Sequence, residues 1–307
     1  MSNITPPYKI KITKQHMNKN KPTKKLGFSL IELSVVILIV GVLVIGVTKG
    51  SKVLSAAKLA SAKSLTAGSP IATIDNLVMW LEVTSDKSFN ASEKIDTTLG
   101  DTGTISSWND LNPQTASPNN ATQNVTNNKP RYVANGINGL PAVNFDGIDD
   151  YLNLPNGTVP YEDSPYTIFI VSSTNSLCIC GVLGSGTSGV TYGSNSYRYD
   201  PSGFFYNYWW FQSLSTPAGS VAIKIPYIFT ISYKTLDRKM YINGLLKSSD
   251  TPSGRVSTVI NNAVGVTNNY SEFMNGYIGE IIIFNRSLTD TQRTDVESYL
   301  KNKWGIK

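Results

Sequence analysis

The sequence predicts a long N-terminal transmembrane α-helix followed by a mostly β domain, a jelly-roll β-sandwich that ends in a short C-terminal helix. Three observations carry that reading. Residues 28–47 form an almost uninterrupted apolar run. Residues 70–307 break into short β-branched and aromatic segments separated by Gly, Asn, Ser, Thr and Pro. A capped amphipathic repeat then closes the chain.

The 307 residues carry a net charge of +6, and the charge is unevenly placed. Lys9, Lys11, Lys14, Lys19, Lys21, Lys24 and Lys25 fall within residues 1–27, which hold no acidic residue, so the rest of the chain is close to −1. A basic excess of this kind raises nucleic acid or an anionic membrane as a partner. The segment after the tail decides for the membrane. FSLIELSVVILIVGVLVIGV (28–47) contains one charge, Glu32, and as a helix it spans ~30 Å, the thickness of a bilayer's hydrocarbon core. A buried core helix is the bland alternative, but such helices rarely run apolar on every face. Lysines before the span and a thinner positive density after it place the N-terminus in the cytoplasm and the bulk of the chain outside. A cleaved secretory signal fits poorly, because no A-x-A-like site follows the apolar core.

The helix continues beyond the membrane. Val53, Ala56, Ala57, Ala60 and Leu65 recur at helical spacing against Lys52, Lys58 and Lys63, and Gly68-Ser69-Pro70 stops it. A helix over 28–67 is ~60 Å long. Residues 70–307 then carry candidate strands at 142–145, 166–172, 203–212, 227–233, 239–242 and 276–284, a density that indicates a sandwich or jelly roll. Thr289 and Gln292 make a capping box, and Val296, Tyr299, Leu300 and Trp304 form the apolar stripe of a final helix.

The junction Lys24-Lys25-Leu26-Gly27-Phe28-Ser29-Leu30-Ile31-Glu32-Leu33 closely resembles the cleavage and methylation site of type IV prepilins and type II secretion pseudopilins. The resemblance implies that a prepilin peptidase cuts after Gly27, N-methylates Phe28 and so removes residues 1–27 as a leader. It also implies that Glu32 pairs with the new N-terminal amine of an adjacent pilin or pseudopilin subunit during filament assembly. Physical chemistry agrees. Glycine admits close approach to the bond to be cut, and a glutamate in a bilayer helix is costly enough to mark a functional site. Snorkelling of Glu32 to the nearby interface is the plainer reading.

Trp108-Asn109-Asp110, AVNFDGIDDYLNL (142–154), ISYKTLDRKMYING (231–244) and GYIGEIIIFNRSLTDTQRTDVESYLKNKWG (276–305) together resemble the concanavalin A-like, laminin G-like jelly-roll family. That implies a 70–307 domain of two antiparallel sheets that binds carbohydrate or a surface protein, in some members through calcium. Asp146, Asp149 and Asp150 offer oxygens to such a hard cation, although Asp-Gly is also the expected chemistry of a tight turn, and the turn is the preferred reading. No other cofactor is indicated. Tyr206, Tyr208, Trp209 and Trp210 are candidate sugar-stacking residues, of which alternation along a strand sends about half to the core. Cys178 and Cys180 share one side of a strand and read as free or transiently oxidised thiols.

An enzyme is not expected. His16 is the only histidine and lies in the leader, so histidine triads, Cys–His pairs and H-E-x-x-H zinc sites are excluded from residues 28–307. Retaining glycosidases on this fold need two close carboxylates, and the strand 279–283 supplies only Glu280. The sequence therefore reads as a filament subunit, a minor pilin or adhesin-like protein, whose head binds a glycan or surface ligand and no nucleic acid. A purely structural pseudopilin of a secretion or DNA-uptake system and a membrane-tethered glycosidase are the alternatives. The precursor is placed in the bacterial inner membrane and the assembled subunit in an extracytoplasmic pilus or pseudopilus.

Overall fold

A computed structural model describes residues 30–90, 103–254 and 257–307, and of residues 31, 32 and 41–52 the backbone alone. The chain divides into two compact units, Met1–Lys49 and Gly50–Lys307. Helix α1 (Leu30–Ala67) stops at the residue before Gly68, as the breaker predicts. Of the expected span over 28–47, the described side chains are Leu30 and Leu33–Val40, all exposed. Gly27, Phe28 and the side chain of Glu32 lie outside the described residues. Among the described residues no helix is long and apolar enough to cross a membrane.

The described β structure comprises β1 (Leu77–Glu82), β2 (Ser107–Trp108), β3 (Ala121–Thr122), β4 (Arg131–Ile137), β5 (Leu140–Asp146), β6 (Leu152–Asn153), β7 (Tyr166–Thr174), β8 (Cys180–Gly184), β9 (Ser196–Tyr199), β10 (Phe205–Tyr208), β11 (Leu214–Ser215), β12 (Tyr227–Lys234), β13 (Asp237–Ile242), β14 (Leu245–Asp250), β15 (Ala263–Val264) and β16 (Asn275–Phe284). Helix α2 (Asp290–Trp304) comes last. The strands form two antiparallel eight-stranded sheets. The first runs β14-β13-β12-β7-β16-β5-β4, with β1 also paired to β16, and the second runs β11-β10-β9-β8-β15-β6-β3-β2. Each of the predicted strands is present, and the segment expected over 203–212 is shorter, ending at Tyr208.

Strand β7 (YTIFIVSST) is buried at every position, which explains its continuous β-branched and aromatic run. Beside it, β16 is the hub of the first sheet. Its Asn275–Ile278 half pairs with β5, and its Glu280–Phe284 half pairs with β1 on the same side. The exchange occurs at a register shift between Ile278 and Glu280. Gly279 sits there because a Cβ would lie 2.5 Å from the ring of Trp304. Between the sheets, Phe205 of β10 stacks on Phe229 of β12 with ring centroids 3.6 Å apart.

Helix α2 starts with the predicted capping box on Thr289 and Gln292 and buries Val296, Tyr299, Leu300 and Trp304. It also buries Lys303, whose ammonium lies 2.9 Å from Glu280 Oε2 and 3.1 Å from Glu82 Oε2, all three side chains being 0% exposed. The two glutamates are cross-strand partners on β1 and β16. Trp80 Nε1, the Tyr299 hydroxyl and Trp304 Nε1 donate to Glu280 at 2.7, 2.8 and 2.9 Å. The backbone N–H of Thr84 donates to both oxygens of Glu82 at 2.6 and 2.8 Å. Removing the single cation leaves two buried carboxylates facing each other, which costs about 3–5 kcal/mol. Lys303→Met is accordingly expected to lower the unfolding free energy by that order in chemical denaturation. Lys63→Ala, which breaks the exposed 2.7 Å pair with Asp86, is expected to cost less than about 1 kcal/mol.

Candidate functional site

The candidate ligand surface is built on β9 and β10 by the two-residue period of a strand. Phe205, Asn207 and Trp209 point into the sandwich, whereas Tyr206, Tyr208 and Trp210 point out and are half-buried. Trp209, a predicted sugar-stacking residue, is therefore a core residue: it is 0% exposed, its Nε1 donates to Asn195 Oδ1 at 3.2 Å, and the Arg238 guanidinium lies 3.9 Å from its ring. The same alternation leaves the other three candidates together on the outer face.

There they share one ledge. Arg198 of β9 lies across it, 4.2 Å from the Tyr208 ring and 5.7 Å from that of Tyr206, and its charge is met by Glu272 at 2.5 Å. Trp210 packs edge-on to Tyr208 at 5.8 Å, and Phe204 tilts against Tyr206 at 5.7 Å. Arg198 and Glu272 are not among the residues expected from sequence. The signal for Arg198 is the SYRY alternation at 196–199, which sets it on the face opposite Tyr197 and Tyr199 and beside an aromatic strand.

The end of the ledge is held in unusual backbone. Trp210 and Phe211 have φ of 23° and 67°, and Tyr192, facing them, has 60°. Such values cost an L-residue energy and persist where the surroundings enforce them. Here the Tyr192 N–H donates to the Trp210 carbonyl at 3.0 Å, and Ser194 Oγ accepts from Trp210 N–H at 3.2 Å while donating to the Tyr208 carbonyl at 3.2 Å. The result projects Phe211 into solvent, 80% exposed. Trp210 Nε1 and Arg198 Nε are shielded from water with no hydrogen-bond partner among the described residues. Burial raises the Tyr208 phenol above its usual range, and Arg198 partly offsets this.

The three aspartates meet in the turn after β5. Asp146 Oδ1 accepts the N–H groups of Ile148 and Asp149 at 2.8 and 3.4 Å, and Asp150 Oδ2 accepts Asp146 N–H at 3.0 Å. One carboxylate oxygen from each of Asp146, Asp149 and Asp150 lies within 4.8 Å of the others. All-oxygen donors at this spacing fit part of a calcium shell, the remainder of which would come from carbonyls or water. Cys178 and Cys180 are joined in a disulfide with Cα atoms 5.2 Å apart. Of the two expected states, free or transiently oxidised, the pair is in the oxidised one, and the expectation that both share a strand is corrected: Cys178 lies in a bend, and β8 starts only at Cys180.

A model of the prokaryotic N-terminal methylation motif matches residues 22–48, the segment that holds Gly27, Phe28 and Glu32. No curated protein matches the chain. Among solved structures, a GH54 α-L-arabinofuranosidase soaked with a cyclic sulfate inhibitor is 10% identical with a TM-score of 0.55, over 74% of this chain and 63% of that one. An arabinofuranosidase complexed with arabinofuranosyl-α-1,2-xylobiose is 11% identical with a TM-score of 0.51, over 66% of this chain and 52% of that one. Domain 4 of AbnA, a GH43 extracellular arabinanase from Geobacillus stearothermophilus, in complex with arabinotriose, is 18% identical over 57% of this chain and 83% of that one, with a TM-score of 0.44. The chain thus spans between about half and two thirds of the arabinofuranosidases it resembles. At these identities the likeness shows a shared β-sandwich fold.

Burial and the Asp146 carboxylate push Asp150 up from 3.8 to about 6. A raised carboxyl favours the protonated native state, so the contribution of Asp150 to stability is fully present below about pH 4 and is lost as the pH rises through about 6. The fall amounts to at most about 3 kcal/mol. In calcium-free buffer, Asp150→Asn should remove this decline: the variant gains stability over wild type above pH 6 and none below pH 4, as read by thermal melts across that range.

Proposed function

We propose that this chain is a prepilin-type filament subunit, minor pilin or adhesin-like, that displays a concanavalin A-like, lectin-like head for binding carbohydrate. The match of the N-terminal methylation motif to residues 22–48 carries the filament half of this reading. On it, a prepilin peptidase cuts after Gly27 and methylates Phe28. The apolar helix anchors the precursor in the inner membrane, and Glu32 pairs with a neighbouring subunit's amine. The exposed row Leu33–Val40 is then the surface that lipid covers before assembly and other subunits cover afterwards.

The outward ledge of Tyr206, Tyr208 and Trp210 carries the binding half. Sugar rings present apolar C–H faces that stack on aromatic rings, and their hydroxyls accept from nearby donors. Neighbours of the same fold are crystallised with arabinose-containing ligands, so arabino-oligosaccharides are the first glycans to try. The head is read as a binding module rather than an enzyme. Residues 28–307 contain no histidine, and the cross-strand pair Glu82 and Glu280 is fully buried and bridged by Lys303. Asp146, Asp149 and Asp150 are proposed as calcium ligands.

Three measurements test this. Full-length chain is expected to bind arabino-oligosaccharides or another neutral glycan on an array, and Tyr208→Ala or Trp210→Ala to weaken binding about tenfold. Binding by neither wild type nor variants would favour the structural pseudopilin, and release of sugar would identify a glycosidase. Glu32→Ala is expected to abolish incorporation into filaments without lowering the amount of membrane precursor. Calcium is expected to raise the melting temperature of wild type and not that of Asp149→Asn.

A further inference from the structure

The buried cluster beneath α2 holds more than an ion pair needs. Lys303 Nζ is in hydrogen-bond contact with two carboxylates, Glu280 Oε2 at 2.9 Å and Glu82 Oε2 at 3.1 Å, and all three side chains are closed to solvent. An amine and a carboxyl held together in a dry site are the reactants of an amide. Fixing them in contact removes the entropy barrier that keeps separate molecules from reacting.

The two glutamates are not equivalent. Backbone N–H groups of Thr84 and Ser85 and the Thr84 hydroxyl all donate to Glu82, a donor set that suits a carboxylate. Glu280 receives no backbone N–H among the described residues, and its two oxygens are served separately. Oε1 accepts from Trp80 Nε1 at 2.7 Å and from the Tyr299 hydroxyl at 2.8 Å. Oε2 meets Lys303 Nζ and Trp304 Nε1, both at 2.9 Å. Two fixed donors on one acyl oxygen are the arrangement that stabilises the negative charge of a tetrahedral intermediate. The nucleophile lies against the other oxygen, the one that must leave.

We propose that Lys303 and Glu280 join in an intramolecular isopeptide bond, with Glu82 as the acid–base group. A proton passes from Nζ to Glu280 Oε2 along their hydrogen bond, leaving a neutral amine against a carboxylic acid. The amine then attacks Cδ of Glu280, and charge gathers on Oε1 between Trp80 and Tyr299. Glu82 takes a second proton from Nζ and delivers it to the departing Oε2 hydroxyl, which leaves as water. The Nζ–Cδ amide remains and Glu82 is a carboxylate again, so no further reactant is consumed. Three buried charges become one, and replacing a buried ion pair by neutral groups is often stabilising. The ion cluster is the form in which the bond is made. The bond then ties α2 covalently to β16, the hub of the first sheet, whatever the head binds.

The test is tryptic digestion of the denatured full-length chain, followed by mass spectrometry. Fragment 256–286 holds Glu280 and fragment 302–307 holds Lys303. The two are expected as one species, lighter than their sum by one water, with cleavage after Lys303 blocked. Glu82→Gln keeps the shape of the side chain and removes the base, so the linked fraction should fall at least tenfold. Trp80→Phe removes one donor to Oε1 and should slow appearance of the link after a pulse of labelled synthesis by about tenfold or more. It keeps the test decisive if Glu82→Gln folds poorly. Separate fragments from wild type, with cleavage after Lys303, would overturn the proposal. A link from Lys303 to Glu82, or linking at the wild-type rate in both variants, would overturn it too.

Discussion

The head depends on one buried cation. Glu82 and Glu280 face each other across β1 and β16, and two like charges directly opposite on neighbouring strands repel. In a dry core that repulsion would prevent β1 from pairing there. Lys303 reverses its sign, because one ammonium bridges both carboxylates while two indoles and a phenol fill the remaining acceptor positions on Glu280. Pairing of β1 and docking of α2 are therefore coupled through Lys303. Docking of α2 in turn requires the bare Gly279, since Trp304 occupies the place of its side chain.

The same cluster reaches the last turn of the N-terminal helix. The Tyr299 hydroxyl that donates to Glu280 lies 3.3 Å from Thr66 Oγ1, and Ala62, one turn earlier, is buried in the core. Residues 53–58 of α1 are exposed, so within the Gly50–Lys307 unit the helix is gripped only near its C-terminus. The end of the helix is thus tied to the buried ion network through Tyr299.

Much of this was legible in the letters, and the failures are physical. Strands β5, β7, β12, β13 and β16 announced themselves because sandwich cores select β-branched and aromatic runs. Strand β8 did not, because its CGVLG carries glycines where another loop crosses its face: a Cβ on Gly181 would meet the Thr267 backbone nitrogen at 2.3 Å. Lys303 was not singled out in the sequence, although it sits seven residues after Val296 and so on the apolar stripe. A lysine on that stripe was a sign of a buried partner. Of the four aromatic candidates, period-two alternation from Phe205 already assigns Trp209 inward. The conformation of Trp210 and Phe211 was invisible, since nothing local in WWFQ demands a left-handed backbone and the surrounding Tyr192–Ser194 segment enforces it.

The charge of the chain takes on a different sense once the head is seen. The +6 total belongs to the lysines of residues 1–27, and the rest is close to neutral. Both candidate sites of the head repeat that neutrality locally. Arg198 on the ledge is matched by Glu272, and the cations around the turn after β5 stand beside aspartates. Surfaces built this way attract no ligand from a distance, because paired charges cancel beyond a few ångströms and salt screens what remains. On the proposed binding role, recognition would come from contact, by stacking and apolar burial. Such binding would vary little between dilute and saline surroundings.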